Sequence, residues 1–133
     1  MSIVVYVHSE TQERNIQQRL GKAEYSYYFV RKKFLPALRR LARVIEIEDP
    51  AEALPLADAE KTFLFHFGPP QRAPQSCAVP MVIVLAWEFS SIPTAPDPDD
   101  GSIEDWRPAL RRAGHVITLS SLATEAVLQA VPG

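Results

Sequence analysis

Two stretches of this chain, residues 3–7 (Ile-Val-Val-Tyr-Val) and 79–87 (Val-Pro-Met-Val-Ile-Val-Leu-Ala-Trp), are apolar at nearly every position. A strand with one wet face alternates apolar and polar residues, so neither run suits an exposed sheet surface. Each reads as a central strand covered on both faces. That requirement points to a parallel sheet with helices above and below it.

The rest of the chain supplies the pieces. Residues 44–47, 62–67 and 115–119 read as three more short strands, giving about five. Residues 24–43 turn helical, with Tyr25, Tyr28, Phe29, Leu35, Leu38, Leu41 and Ala42 near one face at spacings of three and four. Pro36 is expected to kink or split this helix, because it removes a donor and crowds the preceding turn. Asp49 and Pro50 suit the N-cap and first position of a weak helix reaching residue 57. Gly68-Pro69-Pro70 must end the third strand. Ser102 and Asp105 approximate a capping box for a helix that buries Ile103, Trp106, Leu110 and Ala113. Ser120 or Ser121 caps a last helix with an Ala123, Ala126, Val127, Ala130 and Val131 face. Residues 8–22 are polar and read as a loop, with or without a short helical piece. Right-handed crossovers then give an α/β fold: a Rossmann-like, doubly wound parallel sheet of about five strands with helices on both faces. Its 133 residues make one domain, 1–133.

Composition narrows the function classes. Apolar residues at 47% and charged residues at 23% describe a globular chain, not a disordered one. A net charge of -2 argues against a globally basic nucleic-acid binder, so no nucleic-acid partner is expected. Cys77, the one cysteine, can form neither an intramolecular disulfide nor a cysteine-based metal site. No secretory pattern opens the chain, and no apolar run approaches the ~20 residues that cross a bilayer. A cytoplasmic location is expected, at most peripheral on the inner face of a membrane. Twelve prolines, seven of them between Pro69 and Pro98, give the fold a stiff and irregular middle.

In such a sheet, ligands bind beyond the carboxyl ends of the strands. The candidates there are His8-Ser9-Glu10, His66-Phe67-Gly68, Trp87-Glu88-Phe89 and Ser120-Ser121. Two histidines and two carboxylates at one edge suit acid/base or hydrogen-bonding work on a polar ligand. Taken singly, each is equally a polar loop residue with local bonds. In Trp87-Glu88-Phe89 a carboxylate stands between two aromatic rings, an arrangement that packs on sugar C–H groups while accepting their hydroxyls. The other reading is that both rings close the core and Glu88 is solvated. Neither G-x-G-x-x-G after the first strand nor G-x-x-x-x-G-K-[ST] anywhere is present, so both common phosphate cradles are missing. The serines lack a G-x-S-x-G elbow. A phospho-receiver needs acidic residues after its first strand, where this chain has His8-Ser9. Asp97, Asp99, Asp100, Glu104 and Asp105 match no EF-hand spacing and read as a solvated loop, so no metal site is expected.

Arg31, Lys32, Lys33, Arg39, Arg40 and Arg43 put six cations on or beside the first helix of a net-acidic chain. This asymmetry fits either a solvated face or an anionic partner, such as phospholipid headgroups.

From Pro80 to Val127, an apolar strand, Trp87-Glu88-Phe89, Ile92-Pro93-Thr94, an Asp-rich turn, Asp105-Trp106-Arg107 and Ile117-Thr118-Leu119-Ser120 leading into a helix follow one another. This series resembles the N-terminal domain of GT-B-fold retaining glycosyltransferases, the group acting on polysaccharides and glycolipids. The hydrophobic first strand, long loop and aromatic-rich helix are similar to that domain too. The resemblance implies the acceptor-binding half of an enzyme that moves a sugar from a nucleotide-sugar to a carbohydrate or glycolipid. His8, His66, Trp87, Glu88 and Thr94 would face the acceptor, Ser120 would face the donor, and no metal or other cofactor would be needed. Two departures stand out. The glycine-rich loop after the first strand is missing, and the family's paired-glutamate donor motif lies in a second domain that would follow Gly133. Alone, the chain is expected not to transfer sugar. The alternative is a non-catalytic Rossmann-like module that binds a carbohydrate or a protein.

Overall fold

The computed structural model of the chain describes residues 2–8, 23–86, 91–95 and 105–132. Its elements run β1 (Ile3–His8), α1 (Ala23–Leu41), β2 (Arg43–Ile47), β3 (Lys61–Phe67), β4 (Met81–Leu85), α2 (Arg107–Ala113), β5 (His115–Thr118) and α3 (Ser121–Ala130). All strand pairings are parallel, and the order is β2-β1-β3-β4-β5. This is one of the common doubly wound orders, with its reversal between β1 and β3. The expected Rossmann-like α/β sheet is the observed one.

Two-sided burial shows directly in the alternation of side chains. Val4 and Tyr6 of β1 join Leu64, Met81, Ile83 and Leu85 on one face, with Trp106 and Leu110 of α2 and Ala126 of α3. Val5 and Val7 join Phe67 and Val84 on the other, with Leu35 and Leu38 of α1. Phe34 brings its ring within 5.7 Å of Phe67 and 6.5 Å of Phe65, measured between centroids. The link from β2 to β3 covers the first face: Ala53 is buried there, and the Tyr6 hydroxyl donates to the Leu54 carbonyl at 3.0 Å. Gly114 follows α2 with φ of 79°, a left-handed cap that lets the chain turn at once into β5.

Several local expectations are corrected. Pro36 does not split α1; the helix runs through it, with Leu35 and Leu38 anchored on the sheet either side. The buried face of α1 carries Tyr27 and Tyr28, whereas Phe29 is 40% and Leu41 77% exposed. Three consecutive aromatics fan over about 200° of the helix, so spacing alone does not say which one points outward. The weak helix after Asp49 is only a 3-10 turn, Pro50–Glu52, although Asp49 and Glu52 do form its capping box. The fourth strand is shorter than its apolar run, and Trp106 stands at the N-cap position of α2 without a side-chain capping bond. Ser102 and Ile103 lie outside the described residues. Asp105 instead holds Arg107 through its backbone N–H at 3.0 Å and its guanidinium at 2.9 Å. Ser120 caps α3 as expected, its Oγ accepting from the Ala123 N–H.

Among the described residues, no helix is long and apolar enough to cross a membrane. Leu64 is fully buried at the centre of the sheet. Leu64→Ala should therefore lower the unfolding free energy by about 2–5 kcal/mol. Leu41→Ala should change it by no more than about 0.5 kcal/mol. Urea titration followed by circular dichroism measures both.

Candidate functional site

The reversal of strand order places the carboxyl ends of β1 and β3 side by side, and each end carries a histidine. His8 and His66 are register partners. On either side the same row continues with Ile47 on β2 and Ile83 on β4. Two imidazoles thus interrupt an aliphatic row at the point where this fold class opens its binding crevice. Their rings stack with centroids 5.2 Å apart, and their Nδ1 atoms lie 3.0 Å from each other. His66 is completely buried, and His8 keeps 7% of its surface exposed.

The chain just after β3 is shaped around the His66 ring. Residues two apart on a strand share a face, so position 68 stands over position 66. It is a glycine, and a Cβ there would sit 2.8 Å from His66 Nε2. The chain closes in further, bringing the Pro69 carbonyl to 3.4 Å from the same nitrogen. That carbonyl also accepts the Arg72 N–H at 3.0 Å, which fixes its direction.

The protons follow from these contacts. A carbonyl oxygen only accepts, so His66 Nε2 carries a hydrogen. Burial first, and His8 second, push the His66 imidazole down from 6.5 to about 3, while the Pro69 carbonyl pulls weakly the other way. His66 is therefore neutral near pH 7, with its lone pair on Nδ1. The 3.0 Å contact then requires His8 Nδ1 to donate. The arrangement is a directed chain from His8 through His66 to the backbone.

The remaining sequence candidates are distributed differently. Thr94 is exposed, and its carbonyl accepts from Arg107 at 3.0 Å; the neighbouring Pro93 carbonyl accepts the Trp106 N–H at 3.0 Å. Segment 91–95 is thus tied to the start of α2, with Ile92 buried. Ser120 lies past β5, three strands from β1, which at about 4.8 Å per strand is roughly 14 Å away. Trp87 and Glu88 lie outside the described residues, as do Ser9 and Glu10. His8 and His66 are brought together; Ser120 is not brought to them. Sequence reading missed Gly68 and Pro69 as the cradle of His66, taking them only as a strand stop. The signal was present in the spacing, a glycine two residues beyond a histidine at a strand end. Among the described residues, no group of three or more histidine, cysteine or acidic side chains is placed to hold a metal ion.

No protein-family model, curated protein or solved structure matches this chain.

The neutral state of His66 has a thermodynamic consequence. Unfolding returns the imidazole to its ordinary value of 6.5, so below that pH the unfolded chain binds a proton that the folded chain refuses. Stability from this residue is complete above pH 6.5 and falls as the pH drops toward about 3, with a slope of about 1.4 kcal/mol per pH unit. His66→Gln should remove this increment. Denaturant midpoints of both proteins across that window measure the difference.

Proposed function

We propose that the β1–β3 edge binds a neutral, hydroxyl-bearing ligand, and that the chain is the acceptor-side domain of a retaining GT-B glycosyltransferase. The observation that carries the reading is the stacked imidazole pair at the strand-order reversal, with His66 fully buried and held neutral by that burial. A buried neutral His66 offers no cation to a phosphate or carboxylate. A hydroxyl both donates and accepts, and so matches what an imidazole edge provides. The resemblance over Pro80 to Val127 supplies the choice of a sugar. Trp87 and Glu88, in the segment that follows β4, would extend the same surface, Trp87 as a packing face and Glu88 as an acceptor of hydroxyls. Thr94 would stand at the far end of that segment, where Arg107 holds the chain.

In the complete enzyme an acceptor hydroxyl attacks the anomeric carbon of a nucleotide-sugar, and the diphosphate leaves with the bonding pair. Stabilising that leaving charge is work for preorganised donors. The β1–β3 edge, with its buried neutral His66 and no glycine-rich loop, is not suited to it. The donor accordingly belongs to a second domain, with Ser120 on the side turned toward it. This division of labour is directly measurable. Amide chemical shifts of the 133-residue chain should move at the ends of β1 and β3 on addition of methyl α-D-glucopyranoside, with an affinity of roughly millimolar order, about -4 kcal/mol. UDP-glucose should bind no better. Tight binding of UDP-glucose would contradict the assignment of roles.

The outer face of α1 favours a second, independent reading. Phe29, Lys33, Pro36 and Arg40 fall on one arc of the helix, opposite the buried Leu38, with Lys32 beside them. Exposed apolar and basic groups on one arc suit an anionic lipid surface. Each basic residue near such a surface contributes about 1 kcal/mol, so replacing Lys33 and Arg40 by Gln should weaken vesicle binding roughly 30-fold. Sedimentation with phosphatidylglycerol vesicles tests this. Equal binding by the variant would remove the membrane from the account.

A further inference from the structure

We propose that β5 pairs with the β5 of a second copy of this chain, antiparallel and about a two-fold axis at Ile117, so that two sheets join into one. The pairing is independent of what the β1–β3 edge binds.

An open sheet has two outer strands, and each presents a row of backbone N–H and C=O groups to any chain that can align with it. Here they are β2 and β5. β2 is guarded. Two of its five residues are charged, and both are paired: Arg43 with Asp58 at 3.4 Å, Glu46 with Arg31 at 2.6 Å and Arg39 at 3.5 Å. Charged side chains on an outer strand oppose its pairing with another sheet. β5 is different. From Ala113 to Thr124 no Asp, Glu, Lys or Arg occurs, although 23% of the chain is charged. Val116 and Ile117 are only partly buried, and Leu119 and Leu122 beyond them are 53% and 45% exposed. Among the described residues, β4 is the only strand paired with β5.

The lack of charge identifies the occupant. A charged strand would find no counter-ion here, whereas a second copy brings an equally neutral strand and sets no like charges opposite. Register then follows from the faces. A two-fold axis perpendicular to the sheet makes the two β5 strands antiparallel and keeps like faces together. Directly opposite residues share a face, so the axis passes through a residue position and not between two. At Val116 the pairing would run into Gly114, whose φ of 79° is not strand backbone. At Ile117 it sets Ile117 against itself, Val116 against Thr118 of the second copy, and His115 against Leu119. Ile117 follows Val84 on the α1 side of the sheet, and Val116 and Thr118 follow Ile83 and Leu85 on the other. The inner pairs are all β-branched, which suits a pleated surface. In the joined sheet the β1–β3 gap stays open in each copy, two strands from β5, and both α1 helices lie on one side.

Sedimentation equilibrium of the full chain reads the association. Few residues pair on each side, so the dissociation constant should be ~1–100 μM, with the mass rising from that of one chain toward that of two. The mass of one chain at about 500 μM would overturn the proposal. Leu119→Lys, at an exposed position, puts a cation opposite His115 twice in each dimer and should weaken association about tenfold. Equal association by this variant would likewise overturn it. Register is read by cross-linking in a Cys77→Ala background. Opposite Cα atoms of an antiparallel pair lie about 4.5–5.5 Å apart, a span that a disulfide bridges. Ile117→Cys should therefore link two chains under oxidised glutathione. Val116→Cys, about 8 Å from its equivalent, should not. Failure of Ile117→Cys to link, or equal linkage by Val116→Cys, would overturn the pairing at Ile117.

Discussion

A strand without a polar face has to be covered twice, and that requirement organises this molecule. β1, β3 and β4 bury side chains on both sides, so helices and connecting segments must lie above and below the sheet. Covering both sides with one short chain is achieved by parallel strands joined through crossovers, and the parallel pairing brings every carboxyl end to the same edge. The reversal between β1 and β3 leaves the connections that follow these strands heading to opposite faces. A gap at that point is a consequence of covering the core. The position of that gap is inherited from packing.

Placing two imidazoles in that gap is costly in a way that aliphatic side chains would not be. The row holding His8 and His66 otherwise consists of Ile47 and Ile83, and two more isoleucines or valines would bury apolar surface without any polar atom to satisfy. A buried polar group without a partner costs about 1–3 kcal/mol, so the pair is tolerable only as part of a connected network. The network is short and uses the backbone as its anchor. Arg72 N–H, the Pro69 carbonyl, His66 and His8 form one sequence of donors and acceptors. Its cost is partly deferred to acid, where His66 resists the proton that the unfolded chain accepts. Two imidazoles in an otherwise aliphatic row, compensated by nearby backbone, are the local departure that singles this edge out as the candidate site.

What could be read in the sequence divides along the same physical lines. Apolar runs long enough to need two-sided burial identified β1 and β4, because that signal involves many residues at once, and shorter runs marked β2, β3 and β5. Local capping chemistry was also legible at Asp49 and Ser120, where one side chain and one backbone N–H decide the outcome. The outward positions of Phe29 and Leu41 were not, since a helix with aromatics on several sides has no single apolar stripe to follow. Convergence of His8 and His66 on one edge was legible from strand ends alone. Their direct pairing was not, because it depends on strand order, and the order of β1 beside β3 is a tertiary fact. The tautomer lies further out of reach, since it rests on a carbonyl three residues beyond the histidine it orients.

The cations of α1 show how far a count differs from an arrangement. Glu46 on β2 meets Arg31 at 2.6 Å and Arg39 at 3.5 Å, two turns apart on the same side of the helix. Arg31 keeps only 14% of its side chain exposed, so this contact is more than a loose surface pair. It ties α1 to the edge strand and sets the rotation of the helix about its axis. Arg43 does the same for the connection beyond β2, reaching Asp58 at 3.4 Å. Half of the six basic residues are thus engaged in seating the helix and its neighbours. That rotation is what turns Phe29, Lys33, Pro36 and Arg40 outward. Of the three engaged cations, only Arg31 is largely covered, since Arg39 and Arg43 keep 55% and 54% of their side chains exposed. The covered Arg31–Glu46 contact thus helps to hold in place the surface on which the exposed cations stand.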